Sequence, residues 1–214
     1  MEKDLTAYRK SYEKGALDEV DVPQNPWELF QNWFELADAS ANIEEANAMT
    51  LATVDQSLMP KSRVVLLKSF DQEGFRFFTN YGSEKGRDLE SNPQCCLSFF
   101  WPALEKQVII KGNAEKLPHQ ESEEYFHSRP KGSQLGALAS HQSSVISNRE
   151  ELENRLKDLE QQYQDGSVPL PDYWGGYLVR PVSFEFWQGR QNRLHDRLLY
   201  TPNNDNWKIE RLAP

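Results

Sequence analysis

An antiparallel β-barrel or sandwich with helices packed outside it is the fold class that this 214-residue sequence predicts. Three observations lead there. The elements run helix, several strands, helices, then strands, without the βαβ alternation of a parallel sheet. The strand candidates are short, rich in β-branched and aromatic residues, and joined mostly by tight turns. The last three, "YLVRPVSFEFWQ", "RLHDRLLY" and "WKIERL", follow one another through "GRQN" and "TPNNDN" as a meander.

The elements can be justified in order. Residues 1–20 are polar and read as a segment that is mobile or draped over the surface, ahead of a single domain over 21–214. At "NPWELFQNWFELADAS", Asn25 suits a helix cap and Pro26 the first helical position. Trp27, Phe30, Phe34 and Ala37 recur at helical spacing and predict a buried aromatic stripe. From Ala48 the period becomes that of strands: "AMTLATVD", "SRVVLLKSF", "GFRFFTN", "QCCLSFFW" and "EKQVIIKGNAEKL". Between two of them, "SEKGRDLESN" reads as a short helix capped by Ser83. "HQESEEYFHS" reads as a helix stopped by Pro130. "SNREELENRLKDLEQQYQ" follows as a long helix, with Ser147 and Glu150 in a capping-box pattern.

Composition narrows the function. With 38% hydrophobic and 27% charged residues the chain is globular, and no run of about 18 apolar residues suggests a membrane span. The start "MEKDLTAYRK" lacks the apolar core of a secretory signal. Cys95 and Cys96 are adjacent, cannot easily form a disulfide with each other, and point to opposite faces of a strand, so free thiols in a reducing cytoplasm are expected. The net charge of −9 argues against nucleic-acid binding. The charge is uneven, however: residues 1–48 hold four Lys/Arg against eleven Asp/Glu, whereas 180–197 hold four Arg against two acids. Local positive charge in an acidic chain suggests a small anionic ligand.

The common phosphate-loop, dinucleotide, metalloprotease and nucleophile-elbow motifs are absent, and four scattered histidines give a metal site little support. What the chain offers instead is cations and hydroxyls spaced for anions. In "RLHDRLLY", read as a strand, Arg193, His195 and Arg197 share one face, while Asp196 takes the other and Arg190 stays in the turn. A solvated strand face is the plain alternative. Arg63 and Lys68 bracket four apolar residues in "SRVVLLK"; five positions apart, they can share a site only through a bulge or a strand end. Tyr125, Arg129 and Ser133 are spaced by four, at a helix end and loop broken by Pro130 and Gly132, and together suit a phosphate. "NYGSEKGR" puts Lys85 and Arg87 at a helix start, "SHQSSVIS" is a loop able to hydrogen-bond a heterocycle, and Trp187 in "FEFWQG" can wall a flat ring. Each has an ordinary structural explanation in isolation. Taken together they fit two phosphorylated, ring-bearing ligands.

The stretches "SRVVLLK", "FFTNYGSEKGR", "EKQVIIKGNAEKL", "YFHSRPKGSQLGALASHQSSVI", "PDYWGGYLVRPVSFEFWQG" and "RLHDRLLY" with "WKIERLAP" resemble the pyridoxine/pyridoxamine 5′-phosphate oxidase family, in order from about Tyr8 to Pro214. The resemblance implies an FMN-binding split β-barrel, an antiparallel Greek-key-like barrel flanked by helices, in a cytoplasmic homodimer with active sites at the subunit interface. It implies oxidation of pyridoxine 5′-phosphate or pyridoxamine 5′-phosphate to pyridoxal 5′-phosphate by hydride transfer from the substrate's C4′ carbon to the flavin, with O2 giving H2O2 and the amine also giving NH3. Carried over by motif, FMN falls to Arg63, Val64, Val65, Leu66, Leu67, Lys68, Phe78, Thr79, Lys85, Gln107, Gln142, Ser143, Trp187 and Arg197. The substrate phosphate falls to Lys68, Tyr125, Arg129 and Ser133, and its ring to Arg193 and His195 as the catalytic pair. No metal is implied. Two positions depart from the family pattern: Phe78 stands where Tyr is common, and Glu84 where many relatives have Arg. Arg87 would compensate for Glu84 if the segment is helical. A split-barrel reductase using a nicotinamide cofactor, or a non-catalytic binder of FMN or pyridoxal phosphate, are the alternatives.

Overall fold

Asn25 and Pro26 start the first helix as their chemistry dictates. In the computed structural model, which describes residues 3–214, α1 spans Pro26–Asp38 and the Asn25 side chain accepts a hydrogen bond from the Trp27 amide at 3.0 Å. Its buried stripe is Pro26, Leu29, Phe30, Trp33 and Ala37, one step round the helix from the expected one; Trp27 and Phe34 sit at its edges. Each fully buried aromatic here contributes roughly 1.5–3 kcal/mol.

The strands that follow are β1 (Ala48–Val54), β2 (Pro60–Leu66), β3 (Ser69–Asp71) and β4 (Gly74–Asn80). Helix α2 (Glu84–Ser91) separates them from β5 (Gln94–Trp101) and β6 (Lys106–Lys116). Three helices come next: α3 (His119–Ser128), α4 (Lys131–Ala139) and α5 (Arg149–Gln162). The chain ends with β7 (Trp174–Gln188), a 3-10 turn at Gln191–Arg193, β8 (Asp196–Asn203) and β9 (Asn206–Arg211). The strands form one antiparallel sheet ordered β2-β1-β5-β6-β7-β4-β3, with β8 on β7 and β9 on β8.

Contacts divide the chain into two compact units, with β1, β5, β6 and β7 each running from one into the other. One unit holds the residues up to Thr50 together with Cys96–Lys111 and Pro181–Pro214. Its core packs Phe30 against Phe99 (ring centroids 5.2 Å), Trp33 against Phe186 (5.3 Å) and Trp27 against Phe184 (5.1 Å). Of the polar N-terminal segment, Met1 and Glu2 lie outside the described residues. Further along it, Leu17 is buried, and the Glu13 and Lys14 amides donate to Glu105 Oε2 at 2.8 and 3.0 Å. Here β7 pairs with β8, Trp187 opposite Arg197 and Gln188 opposite Asp196.

The other unit, Leu51–Cys95 with Gly112–Arg180, is built on β4 and the first half of β7. Their register sets Phe78 opposite Gly176 and Thr79 opposite Gly175. Gly176 is needed there, because a Cβ on it would come within 2.7 Å of the Phe78 ring. Phe126, Leu135, Val168 and Trp174 form this unit's buried cluster beneath α3, α4 and α5.

Three local expectations need correction. Pro130 ends α3 but also opens α4, so Gly132 and Ser133 are helical rather than in a loop; proline tolerates the position before a helix because it needs no amide there. The cap of α5 is Asn148, whose Oδ1 accepts from the Glu151 amide at 3.0 Å; Ser147 instead donates its hydroxyl to Glu151 Oε2 at 2.6 Å. The strand read at "RLHDRLLY" begins only at Asp196, after the 3-10 turn, so alternation does not govern Arg193 and His195. Cys95 and Cys96 are free, the first buried and the second half-buried. Among the described residues, no helix is long and apolar enough to cross a membrane, and no group of three His, Cys, Asp or Glu could hold a metal ion.

Candidate active site

The second unit contains a cavity of about 820 Å3 lined by Arg63, Val64, Val65, Leu66, Lys68, Phe78, Thr79, Lys85, Tyr125, Arg129, Ser133 and Gln142, with Asn80, Pro130, Gly136, Ala137, Ser140 and Trp174. Four cations line it and no carboxylate does. Arg63 and Lys68 meet there because β2 ends at Leu66, freeing Lys68 from the alternation of the strand. Leu67, between them, is buried and does not line the cavity.

Arg63 is held from below. Its Nη1 donates to Thr53 Oγ1 at 2.5 Å and to the Leu51 carbonyl at 3.4 Å, and Thr53 in turn donates to Asp88 Oδ2 at 2.8 Å. Its Nη2 is buried without a hydrogen-bond partner; Glu84 and Asp88 stand 3.6 and 3.7 Å away, too far for one. Glu84 therefore turns toward Arg63, and it also pairs with Lys61 at 2.9 Å. Arg87 does not line the cavity; it donates to the Gly82 carbonyl.

Lys85 is 7% exposed, and its ammonium has only long neutral partners: Thr79 Oγ1 at 3.3 Å, Ser83 Oγ at 3.4 Å and Gln142 Oε1 at 3.4 Å. Burial, and then the charge of Arg63, pull its pKa below the ordinary lysine value. Gln142 also accepts from Thr79 at 3.2 Å, so the loop after α4 reaches the same floor as α2 and β4.

On the opposite wall, Phe78 stacks on Tyr125 with centroids 3.8 Å apart, and Trp174 lies nearly parallel to both. The Arg129 guanidinium sits 4.7 Å over Trp174, with Nη1 buried and unpartnered, and burial lowers its pKa. Ser133 stands in the first turn of α4, its own amide donating to the Pro130 carbonyl at 2.8 Å, and the positive end of the helix dipole there favours an anion. Trp174 was not singled out from the sequence. Its signal was present, an aromatic residue entering a strand at a Gly-Gly pair, but only the register of β4 on β7 puts it against Phe78.

The remaining candidates lie elsewhere. Ser143 has a left-handed backbone (φ 71°) and lines a separate cavity of about 80 Å3. Gln107, Trp187, Arg193, His195 and Arg197 belong to the first unit. Gln107 donates to Ser98 Oγ at 3.2 Å, and Arg197 pairs with Glu185 at 2.8 Å. Arg193 and His195 line a cavity of about 770 Å3 with Trp187, Tyr12, Arg9 and Lys10, and with Arg190, which the sequence had left aside.

Residues 37–163 match the profile of the family described as pyridoxamine 5′-phosphate oxidase. A relative from Christiangramia forsetii, named pyridoxine/pyridoxamine 5′-phosphate oxidase, is 65% identical over 214 residues and covers 100% of both chains. The chain belongs to the pyridoxamine 5′-phosphate oxidase family. A second relative of that name, from Flavobacterium johnsoniae, is 54% identical over 98% of this chain and 99% of its own. The stretch 174–214 matches a profile described as the pyridoxine 5′-phosphate oxidase C-terminal dimerisation region. Among solved structures, PhzG from Burkholderia lata, in complex with tetrahydrophenazine-1-carboxylic acid, is 30% identical with a TM-score of 0.86, covering 96% of this chain and 100% of its own. A pyridoxamine 5′-phosphate oxidase-related, FMN-binding protein from Nostoc punctiforme shares the fold with a TM-score of 0.70 at 18% identity, over 90% of this chain and 100% of its own. The split barrel expected of a pyridoxamine 5′-phosphate oxidase family member is the fold observed.

Proposed function

We propose that this chain is an FMN-dependent oxidase that converts pyridoxine 5′-phosphate and pyridoxamine 5′-phosphate to pyridoxal 5′-phosphate. Oxygen is the final electron acceptor, giving hydrogen peroxide, and the amine also releases ammonia. The observation that carries this reading is a cavity lined by no carboxylate, in which Arg63 and Arg129 each hold a buried guanidinium nitrogen without a hydrogen-bond partner, that of Arg63 with Glu84 and Asp88 at ion-pair distance behind it. Two such nitrogens, one on β2 and one at the end of α3, fit two phosphates better than one. Full-length relatives bearing the oxidase name support the same reading.

The residues present fit FMN. Arg63 and Lys85 offer its phosphate a guanidinium and a buried ammonium, Thr79 and Gln142 offer neutral hydrogen bonds, and 64–68 line the wall beside them. Gln107, Ser143, Trp187 and Arg197 complete the assignment. When bound, FMN supplies the two-electron acceptor that no side chain provides. Lys68, Tyr125, Arg129 and Ser133 take the substrate phosphate and so fix its position. Arg193 and His195 take the pyridine ring, Arg193 as a permanent charge and His195 as a group able to hold a proton. We assign a cytoplasmic homodimer with both active sites at the subunit interface.

The test is direct. The purified protein should show a flavin spectrum and, on addition of pyridoxine 5′-phosphate in air, form aldehyde and peroxide together. A flavin-loaded protein without turnover makes it a binder instead, and turnover that requires NADH makes it a reductase.

Glu84 modulates this site. Its carboxylate competes with a phosphate for Arg63, across a half-exposed gap where such pairs are worth about 0.2–1 kcal/mol. Glu84→Gln is expected to tighten FMN binding by about 1.4- to fivefold, read from quenching of flavin fluorescence. Weaker binding in the variant would show that Glu84 supports the site instead.

A further inference from the structure

We infer that Asp196, acting through Arg190, positions His195 and fixes which of its ring nitrogens carries the proton. Asp196 is 9% exposed. Its Oδ2 accepts from the Leu17 amide at 3.0 Å and from Arg190 Nη1 at 2.7 Å, and its Oδ1 accepts from Arg211 Nη1 at 2.8 Å. Burial opposes its ionisation, but the Leu17 amide and the two guanidiniums outweigh burial, and its pKa stays below the usual carboxylate value.

The ion pair to Arg190 closes a loop six residues round, and the loop needs closing. Asn192 and Arg193 both have left-handed backbones, φ 56° and 62°, which side-chain-bearing residues adopt at a cost. Leu194 is 68% exposed, so it contributes little apolar packing to the loop. At the closed end, the main-chain N–H of Arg190 donates to His195 Nδ1 at 3.1 Å. A nitrogen that accepts carries no proton, so the neutral ring holds its proton on Nε2. The ring is flanked by Trp187 and Tyr12, with centroids at 4.7 and 5.7 Å. Arg9, Lys10, Arg190 and Arg193 are the charged groups of its cavity. Asp196 is thus a positioning residue: it reaches His195 only through the loop it closes.

This rests on the oxidase reading for its consequence in turnover, but not for its geometry. The experiment uses the purified full chain, with the His195 ring nitrogens assigned by 15N NMR in the parent, in Asp196→Asn and in Arg190→Met. Arg190 is half-buried and less enclosed than Asp196, so its variant keeps the test available if Asp196→Asn does not fold. The parent should show an unprotonated Nδ1 and a protonated Nε2. Both variants should show mixed tautomers and about a tenfold loss in kcat/KM for pyridoxine 5′-phosphate, most of it in KM. The idea is overturned by a protonated Nδ1 in the parent, by the parent tautomer persisting in a folded variant, or by mixed tautomers with unchanged kcat/KM. A parent that does not turn over at all sinks the oxidase reading alone, and the ring spectra still decide the clamp.

Discussion

Arg129→Met is expected to lose recognition of the substrate phosphate while leaving the ligand-free protein at least as stable. Arg129 Nη1 is buried and unpartnered, and what the guanidinium has instead is the face of Trp174 at 4.7 Å and of Phe126 at 5.7 Å. Those faces offset part of its desolvation, on the order of 0.5–2 kcal/mol. A phosphate would satisfy the rest, and hydrogen bonds to a charged group are worth about 1.5–3 kcal/mol each. The loss in kcat/KM for pyridoxine 5′-phosphate should therefore be about ten- to a hundredfold. Arg129→Lys should recover only part of it, since a point charge replaces a planar fork. Steady-state kinetics and a thermal melt without ligand separate the two effects. Unchanged kinetics in Arg129→Met, or a ligand-free Tm several degrees lower, contradicts the assignment.

What was legible in the sequence was chemistry at short range. The anion-binding character of Arg63, Lys68, Tyr125, Arg129 and Ser133 follows from residue type, and the structure gathers all five around one cavity. Ser83 as the cap of α2 and Asn25 as the cap of α1 needed only local rules. The misreadings came where a local rule was extended past its element. Alternation was carried back from β8 to Arg193 and His195, although the left-handed Arg193 cannot belong to a strand. Pro130 was read as a stop, when the residue that ends one helix can open the next. The roles of Trp174 and Asp196 depend on partners far away in sequence, Phe78 for one and Leu17 for the other. Arg190 was left in the turn and Asp196 set aside on face counting, and their ion pair shows why a count of faces cannot replace a closed loop.

Lys85→Met carries the same logic to the flavin side, with a pH signature that Arg129 lacks. Lys85 is an ammonium with no carboxylate within 4.0 Å among the described residues, held by three long neutral contacts beside Arg63. Its folded pKa lies below the ordinary 10.5, so in the interval between the two the unfolded chain binds the proton and the folded chain does not. More protons on the unfolded chain mean that the stability of the ligand-free protein rises with pH across that interval. Methionine has no such proton, so the variant should lose the alkaline rise and be at least as stable near neutral pH. FMN binding should weaken by about ten- to a hundredfold, as one charge-assisted phosphate contact disappears. Denaturant midpoints followed from neutral pH to 10.5, with and without FMN, read both effects in one series. A variant that keeps the alkaline rise would move its origin to another group, and one that binds FMN as the parent does would remove Lys85 from the phosphate. If both changes appear, the ammonium weakens the empty fold for the same reason it strengthens the loaded one: it is desolvated and waiting for an anion.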